Sequence, residues 1–206
     1  MREGVASAPQ VLIVRRSANL AFAAGAYVFP GGRVDPEDRI AGALHHPRLD
    51  PEEAAARTAA LRETREETGI ALDIATTDLV PFARWLPKHE VVTRRFDTRF
   101  YLATTSERTE PVADGEETSH AFWATAQEVL DRCSAGNGRA IFPTRRLLER
   151  LARFPSFDAA RDEAERLPQR IISPWVERRE GGDWLCIPED AGYPVTSEPI
   201  ASALRY

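Results

Sequence analysis

Three glutamates, Glu63, Glu66 and Glu67, are spaced i, i+3, i+4 within the stretch Arg62–Ile70. On a helix this spacing brings all three carboxylates to one face. Each like-charge pair there costs about 0.2–0.5 kcal/mol, so the arrangement implies an opposite charge among them. A hard divalent cation such as Mg²⁺ meets that need, because it takes oxygen ligands and bridges protein carboxylates to phosphates. Arg62 lies beside Glu63 and four residues before Glu66. It can orient a carboxylate through a bidentate contact, or make an ordinary surface ion pair.

The elements that must position these groups are readable from pattern. Asp50-Pro51-Glu52-Glu53 is a helix start, with Asp as N-cap and Pro at the first position. The helix runs to about Thr68 with Gly69 as its stop, about 27 Å in all. Ahead of it, Gln10–Arg15 and Tyr27–Phe29 read as strands, and Pro30-Gly31-Gly32 breaks the second. Arg33–Asp50 carries Pro36, Gly42 and Pro47 and reads as a loop. Strands are expected at Leu79–Leu86, Phe96–Thr104 and Ser119–Trp123, then helices at Ala126–Arg132, Pro143–Phe154 and Asp158–Leu167. Strands at Arg170–Val176 and Trp184–Ile187 close the chain. In the Pro143 helix, Leu147, Leu148 and Leu151 form an apolar stripe against Arg145, Arg146, Glu149 and Arg150, and Arg145-Arg146 reads as a solvated face. The four tryptophans, Trp85, Trp123, Trp175 and Trp184, are read chiefly as core. A mixed sheet flanked by helices is the economical architecture.

With a net charge of −5 and a sequence pI near 5.5, the chain does not offer a broad nucleic-acid face. It contains no apolar run long enough for a membrane span and no signal-peptide pattern. Cys133 and Cys186 lack metal-ligand spacing, and two free thiols fit a reducing cytoplasm. His45-His46 and the remaining histidines also lack such spacing.

Arg62-Glu63, Glu66-Glu67, Gly69 and Ile70 resemble the C-terminal half of the Nudix box, G-x5-E-x7-R-E-U-x-E-E-x-G-U, with Thr64 at an aliphatic position. Counting on from Gly32, Asp38 falls where Glu is usual, and 23 residues (39–61) separate it from Arg62. The box is therefore split by an insertion of 16 residues, roughly Arg39–Ala54. A split box resembles the Nudix branch that contains the peroxisomal-type coenzyme A diphosphatases. Val28–Gly32, Arg94–Phe100, Asp114–Glu117 with Phe122-Trp123, and Phe142–Thr144 also resemble that branch. One departure concerns substrate. In the upstream coenzyme A pattern, Arg16-Ser17, Gly25 and Phe29–Gly32 match, but Ala21 stands at the second Arg position.

The resemblance implies an α/β (α+β) Nudix-like α/β/α sandwich, with a mixed sheet and a long catalytic helix. It reads residues 1–206 as a single domain, with an insertion at about 39–54 and a helical and strand extension from about 143. It implies Glu63, Glu66 and Glu67 as ligands of Mg²⁺ or Mn²⁺, joined by the Gly32 carbonyl. Glu63, Arg62, Glu66 and Glu117 are the expected catalytic groups. Glu117, six residues before Trp123, is preferred to Glu116, with Asp114 third. Arg33, Lys88, Arg94 and Arg95 are candidates for the phosphates, and Arg99 is more simply paired with Asp97 or the acidic helix. The implied reaction splits the pyrophosphate of a nucleoside diphosphate linked to another moiety. Coenzyme A or acyl-CoA leads, and NADH or ADP-ribose follows. A non-catalytic nucleotide sensor on the same fold is the alternative from another class. The expected partner is a nucleotide-containing small molecule, with no membrane, and homodimerisation follows by family analogy.

Overall fold

The computed structural model describes residues 1–2, 4, 8–20, 23–72, 78–87, 96–106, 109–168 and 170–203. The chain opens with β1 (Gln10–Arg16) and β2 (Tyr27–Val28), followed by α1 (Pro36–His45) and α2 (Pro51–Thr68). Next come β3 (Val80–Trp85), β4 (Thr98–Leu102), β5 (Thr118–Thr125), α3 (Ala126–Ser134), α4 (Phe142–Leu151) and α5 (Phe157–Arg166). The last part holds β6 (Ile171–Ile172), β7 (Trp175–Arg179), β8 (Gly182–Cys186), β9 (Ser197–Pro199) and α6 (Ile200–Ala203). The result is a mixed α+β fold. Among the described residues the strands form three sheets, β2-β1-β5, β4-β3-β6 and β7-β8-β9. Among these paired strands of the described residues, β3 and β6 run parallel and the others antiparallel.

Helix α2 forms where its signals placed it. The Asp50 carboxylate accepts the N–H groups of Glu52 and Glu53, both at 3.1 Å, and Gly69 closes the helix in the left-handed conformation at φ 69°. Its carboxylate face lies at the outer end of β1 and β5, where the Thr118 hydroxyl donates to the Glu67 carbonyl at 3.1 Å.

The segment read as a loop instead contains α1. Pro36 does not break this helix, because it occupies the first turn, where its missing N–H costs nothing. The Asp38 carboxylate accepts the Asp35 N–H at 2.8 Å and fixes the start. Gly42 lets α1 lie directly on the beginning of α2. A Cβ there would sit 2.7–2.9 Å from backbone atoms of Ala54 and Ala55. Gly42→Ala must therefore push two helix backbones apart. The expected cost is about 1–3 kcal/mol, or about 2–12 °C in Tm for a chain of this size, measurable by a thermal melt.

Beyond α5, Pro174 splits the single strand expected at Arg170–Val176 into β6 and β7, since proline has no N–H for the ladder. Strand β9 and helix α6 were not expected. The main core joins β1, β3 and β5 to α3, α4 and α5, through Ile13, Phe82, Trp85, Val129, Leu147 and Leu148. Trp85 is fully buried, and its indole N–H donates to the Tyr193 hydroxyl at 3.0 Å. Trp175, expected in the core, is 42% exposed on the edge strand β7. The solvated face assigned to α4 is also corrected. Arg146 and Arg150 are buried, because α5 and the β9 segment cover that side and supply Glu163 and Glu198 as partners.

Candidate active site

Arg62 is the hub. Its Nε donates to Asp38 Oδ1 at 3.0 Å and its Nη2 to Asp38 Oδ2 at 2.9 Å, a bidentate pair made across 23 intervening residues (39–61). Nη1 donates to Glu63 Oε1 at 3.0 Å and to Glu66 Oε2 at 2.7 Å, and Nη2 also reaches the Arg33 carbonyl at 2.9 Å. One guanidinium thus ties the start of α1, the glycine turn and two glutamates of α2 into one unit. The Asp38 hydrogen bonds, against the cost of burial, raise its already high pKa further. Burial opposes ionisation of Asp38, but Arg62 outweighs it and holds that carboxyl below its usual value.

Glu63 and Glu67 are in the opposite condition. Burial raises Glu63 despite Arg62, and Glu66 and Glu117 add to the rise. Burial pushes Glu67 up to about 7, the Gly31 N–H at 2.9 Å works against this, and Glu63 reinforces it. Two carboxyls destabilised in their charged forms at one place describe a pocket of negative potential. Gly32 completes it. A Cβ there would fall 2.2 Å from Glu63 Oε1, so only glycine lets the carboxylate lie against the turn.

Among the described residues, no three His, Cys, Asp or Glu side chains converge as a finished metal cage. The reason is visible in the contacts. Arg62 holds an oxygen each of Glu63 and Glu66, and the Gly31 N–H holds Glu67. The donor set nevertheless fits a hard divalent ion. It is all oxygen, carries several negative charges, and is electrostatically unsatisfied at Glu63 and Glu67.

The other expected residues divide. Glu117 is exposed in the bend before β5, its carbonyl accepts the Ser17 N–H at 2.8 Å, and its charge bears on Glu63. Glu116 is exposed as well. Asp114 builds the turn, accepting the N–H groups of Glu116 at 2.7 Å and Thr118 at 3.0 Å. Arg33 is exposed, with its guanidinium 5.9 Å from the Phe96 ring. Lys88, Arg94 and Arg95 lie outside the described residues. Arg99 pairs with Glu53 of α2 at 2.9 Å, while Asp97 pairs with Arg84 at 2.6 Å.

Arg16 was not anticipated as part of this site, yet its charge works against the rise at Glu67. A register shift between Arg15 and Arg16 occurs where β1 meets the start of β5. Bulges of this kind re-aim side chains, and alternation alone does not reveal them. Asp35, 3.5 Å from Arg62, was likewise missed.

A carboxylate-bearing helix behind a glycine turn, in a mixed α+β fold, is the frame of a phosphoanhydride hydrolase. The NUDIX domain family model matches residues 5–144, and the chain belongs to the Nudix family. Nudix hydrolases act on pyrophosphate bonds of nucleoside diphosphate derivatives and generally use divalent metal ions. Among solved structures, the chain is similar to a NUDIX hydrolase from Alicyclobacillus acidocaldarius, with 26% identity and a TM-score of 0.67 over 78% of this chain and 91% of that one. It also matches DR0079 from Deinococcus radiodurans (22% identity, TM-score 0.47, 74% and 79% covered). A third match is the MutT protein from Methanosarcina mazei Go1 (19%, 0.42, 69% and 82%). No curated protein matches the chain. Among the described residues, no helix is long and apolar enough to cross a membrane.

Proposed function

We propose that the protein is a diphosphatase that splits coenzyme A or an acyl-CoA at its pyrophosphate, with Glu63, Glu66, Glu67 and the Gly32 carbonyl holding Mg²⁺ or Mn²⁺. The carrying observation is Arg62 bonded at once to Asp38, Glu63 and Glu66. It supports the split-box reading, because Asp38 and Arg62 are the pair that an insertion at about 39–54 would separate in sequence and leave adjacent in space. On this reading residues 1–206 are one Nudix domain with that insertion and an extension from about 143. The free thiols Cys133 and Cys186 suit a cytoplasmic setting.

The cation's chemistry is charge neutralisation on phosphate oxygens and a lowered pKa for attacking water. The chain's own groups do the rest. Arg62 fixes the rotamers of Glu63 and Glu66 through charge-assisted bonds, so the carboxylates need no reordering when substrate arrives. The raised pKa of Glu63 makes it a better proton acceptor than an ordinary carboxylate, and in this reading Glu117, whose charge bears on Glu63, assists it. Arg33, Lys88, Arg94 and Arg95 supply positive charge for phosphates or a nucleotide 3′-phosphate. A dinucleotide substrate, NADH or ADP-ribose, is the second reading, favoured by Ala21 at the position where a coenzyme A enzyme carries arginine.

The test is Mg²⁺-dependent turnover over a panel of coenzyme A, acyl-CoA, NADH and ADP-ribose, with the products separated. Release of 4′-phosphopantetheine supports the first reading, and nucleoside monophosphates from a dinucleotide support the second. Tight nucleotide binding without any turnover would leave only a sensor. Gly32→Ala gives a geometric check. The new methyl displaces only the flexible end of Glu63, so Tm is expected to hold. Turnover should fall about 10–100-fold, as a misplacement near 1 Å does. Equal turnover in this variant would detach Glu63 from the chemistry.

A further inference from the structure

Thr118 opens β5 and is 1% exposed. Its hydroxyl donates to the Glu67 carbonyl at 3.1 Å. That carbonyl is one of the last four of α2, which have no partner within the helix. The same hydroxyl oxygen accepts the Asp114 N–H at 3.3 Å. The Thr118 N–H donates to Asp114 Oδ1 at 3.0 Å, and the Thr118 carbonyl accepts the Gly115 N–H at 3.0 Å. One residue thus grips both the bend, residues 115–117, and the end of the carboxylate helix. The bend turns its charge toward that helix: Glu117 bears on Glu63, and Asp114 bears on Glu67.

We propose that Thr118 is a positioning residue, whose hydroxyl on the Glu67 carbonyl sets the place of Glu117 relative to the glutamates of α2. This rests on the catalytic role proposed for Glu117. Thr118 acts through Glu117, its neighbour in the chain, and not on the reacting atoms. Two backbone bonds define what its hydroxyl adds. The Val112 N–H donates to the Thr68 carbonyl at 2.8 Å and holds the start of the segment to α2. The Ser17 N–H donates to the Glu117 carbonyl at 2.8 Å and holds the bend to the end of β1. Without the hydroxyl both bonds persist, so the segment stays in place while Glu117 shifts relative to α2. The loss falls on alignment more than on the fold. A threonine at the start of a strand is ordinary strand material, so its type and spacing do not single it out in the sequence.

Thr118→Val replaces the hydroxyl by a methyl of similar size. At saturating Mg²⁺, with the preferred diphosphate, kcat should fall about 10–100-fold, as a misplacement near 1 Å does, with KM nearly unchanged. Thr118→Ser keeps the hydroxyl and should restore kcat, although both variants lower Tm modestly. A double-mutant cycle with Glu117→Gln tests the route: the double variant should be no slower than Glu117→Gln alone. Additive losses, or full kcat in Thr118→Val, overturn the proposal. Full kcat in Glu117→Gln removes the catalytic reading of Glu117, and the proposal falls with it. Amide hydrogen exchange on the whole protein needs no turnover. The Gly115 and Thr118 amides should exchange faster in Thr118→Val than in Thr118→Ser, while the middle of α2 keeps its protection. Equal exchange in the two variants overturns the positioning whatever the substrate. With an inert wild type the diphosphatase reading fails by itself, and the exchange pattern alone decides the positioning. Should Thr118→Val not fold, Thr118→Ala also removes the hydroxyl and is read in the same way.

Discussion

Glu67→Gln is expected to lower kcat about 10²–10³-fold while leaving Tm unchanged or slightly higher. In the proposed site Glu67 supplies a charged oxygen to the cation, and losing one such electrostatic contact to the transition state costs rates of this order. The fold has no comparable need for the charge. The residue is 4% exposed and burial and the Glu63 charge both act against its ionisation, so its carboxylate is held there at an electrostatic cost. Glutamine keeps the Gly31 N–H bond through its carbonyl oxygen and removes the repulsion. Glu66→Gln is the matching control. Its side chain is 57% exposed, so only the bond to Arg62 is weakened structurally. Steady-state rates at saturating Mg²⁺, with Mn²⁺ titrated calorimetrically into each variant, check both. Turnover that survives both substitutions would place the chemistry elsewhere, and a collapsed Tm would mean that the glutamates serve the fold.

How far the sequence disclosed this site depends on which residues are local. Helix α2 was readable because all its signals lie within it: the Asp50 cap, the Gly69 stop and three glutamates at helical spacing. The Asp38–Arg62 pair spans two helices; counting along a known pattern placed Asp38 in the box, but nothing local paired it with Arg62. Its carrier α1 was hidden, because Pro36 and Gly42 are breakers in isolation. In place, one occupies a first turn and the other a helix crossing. Arg16 and Asp35 join the network through a bulge and a loop, features that periodicity does not register.

The arginines of α4 make the same point about stability. Arg150→Ala is expected to destabilise the protein by about 3–5 kcal/mol, the usual result of removing one partner from a buried ion pair. That corresponds to a Tm fall of about 6–20 °C. The Arg150 side chain is 3% exposed and gives two bonds to Glu163 Oε2, at 2.9 and 2.7 Å. It donates to the Phe82 carbonyl at 2.9 Å, and its guanidinium carbon lies 3.9 Å from the Phe82 ring centroid. One side chain therefore links α4 to α5 and β3. Truncation leaves Glu163 a largely buried charge and Phe82 an unanswered carbonyl, besides lost packing. The double change Arg150→Met with Glu163→Leu removes both charges together and should recover most of the loss, because apolar replacements of buried pairs are often neutral. Thermal melts of the two variants separate the cases. A single truncation that costs under 1 kcal/mol would mean that Arg150 is solvated, as the apolar stripe of α4 first suggested.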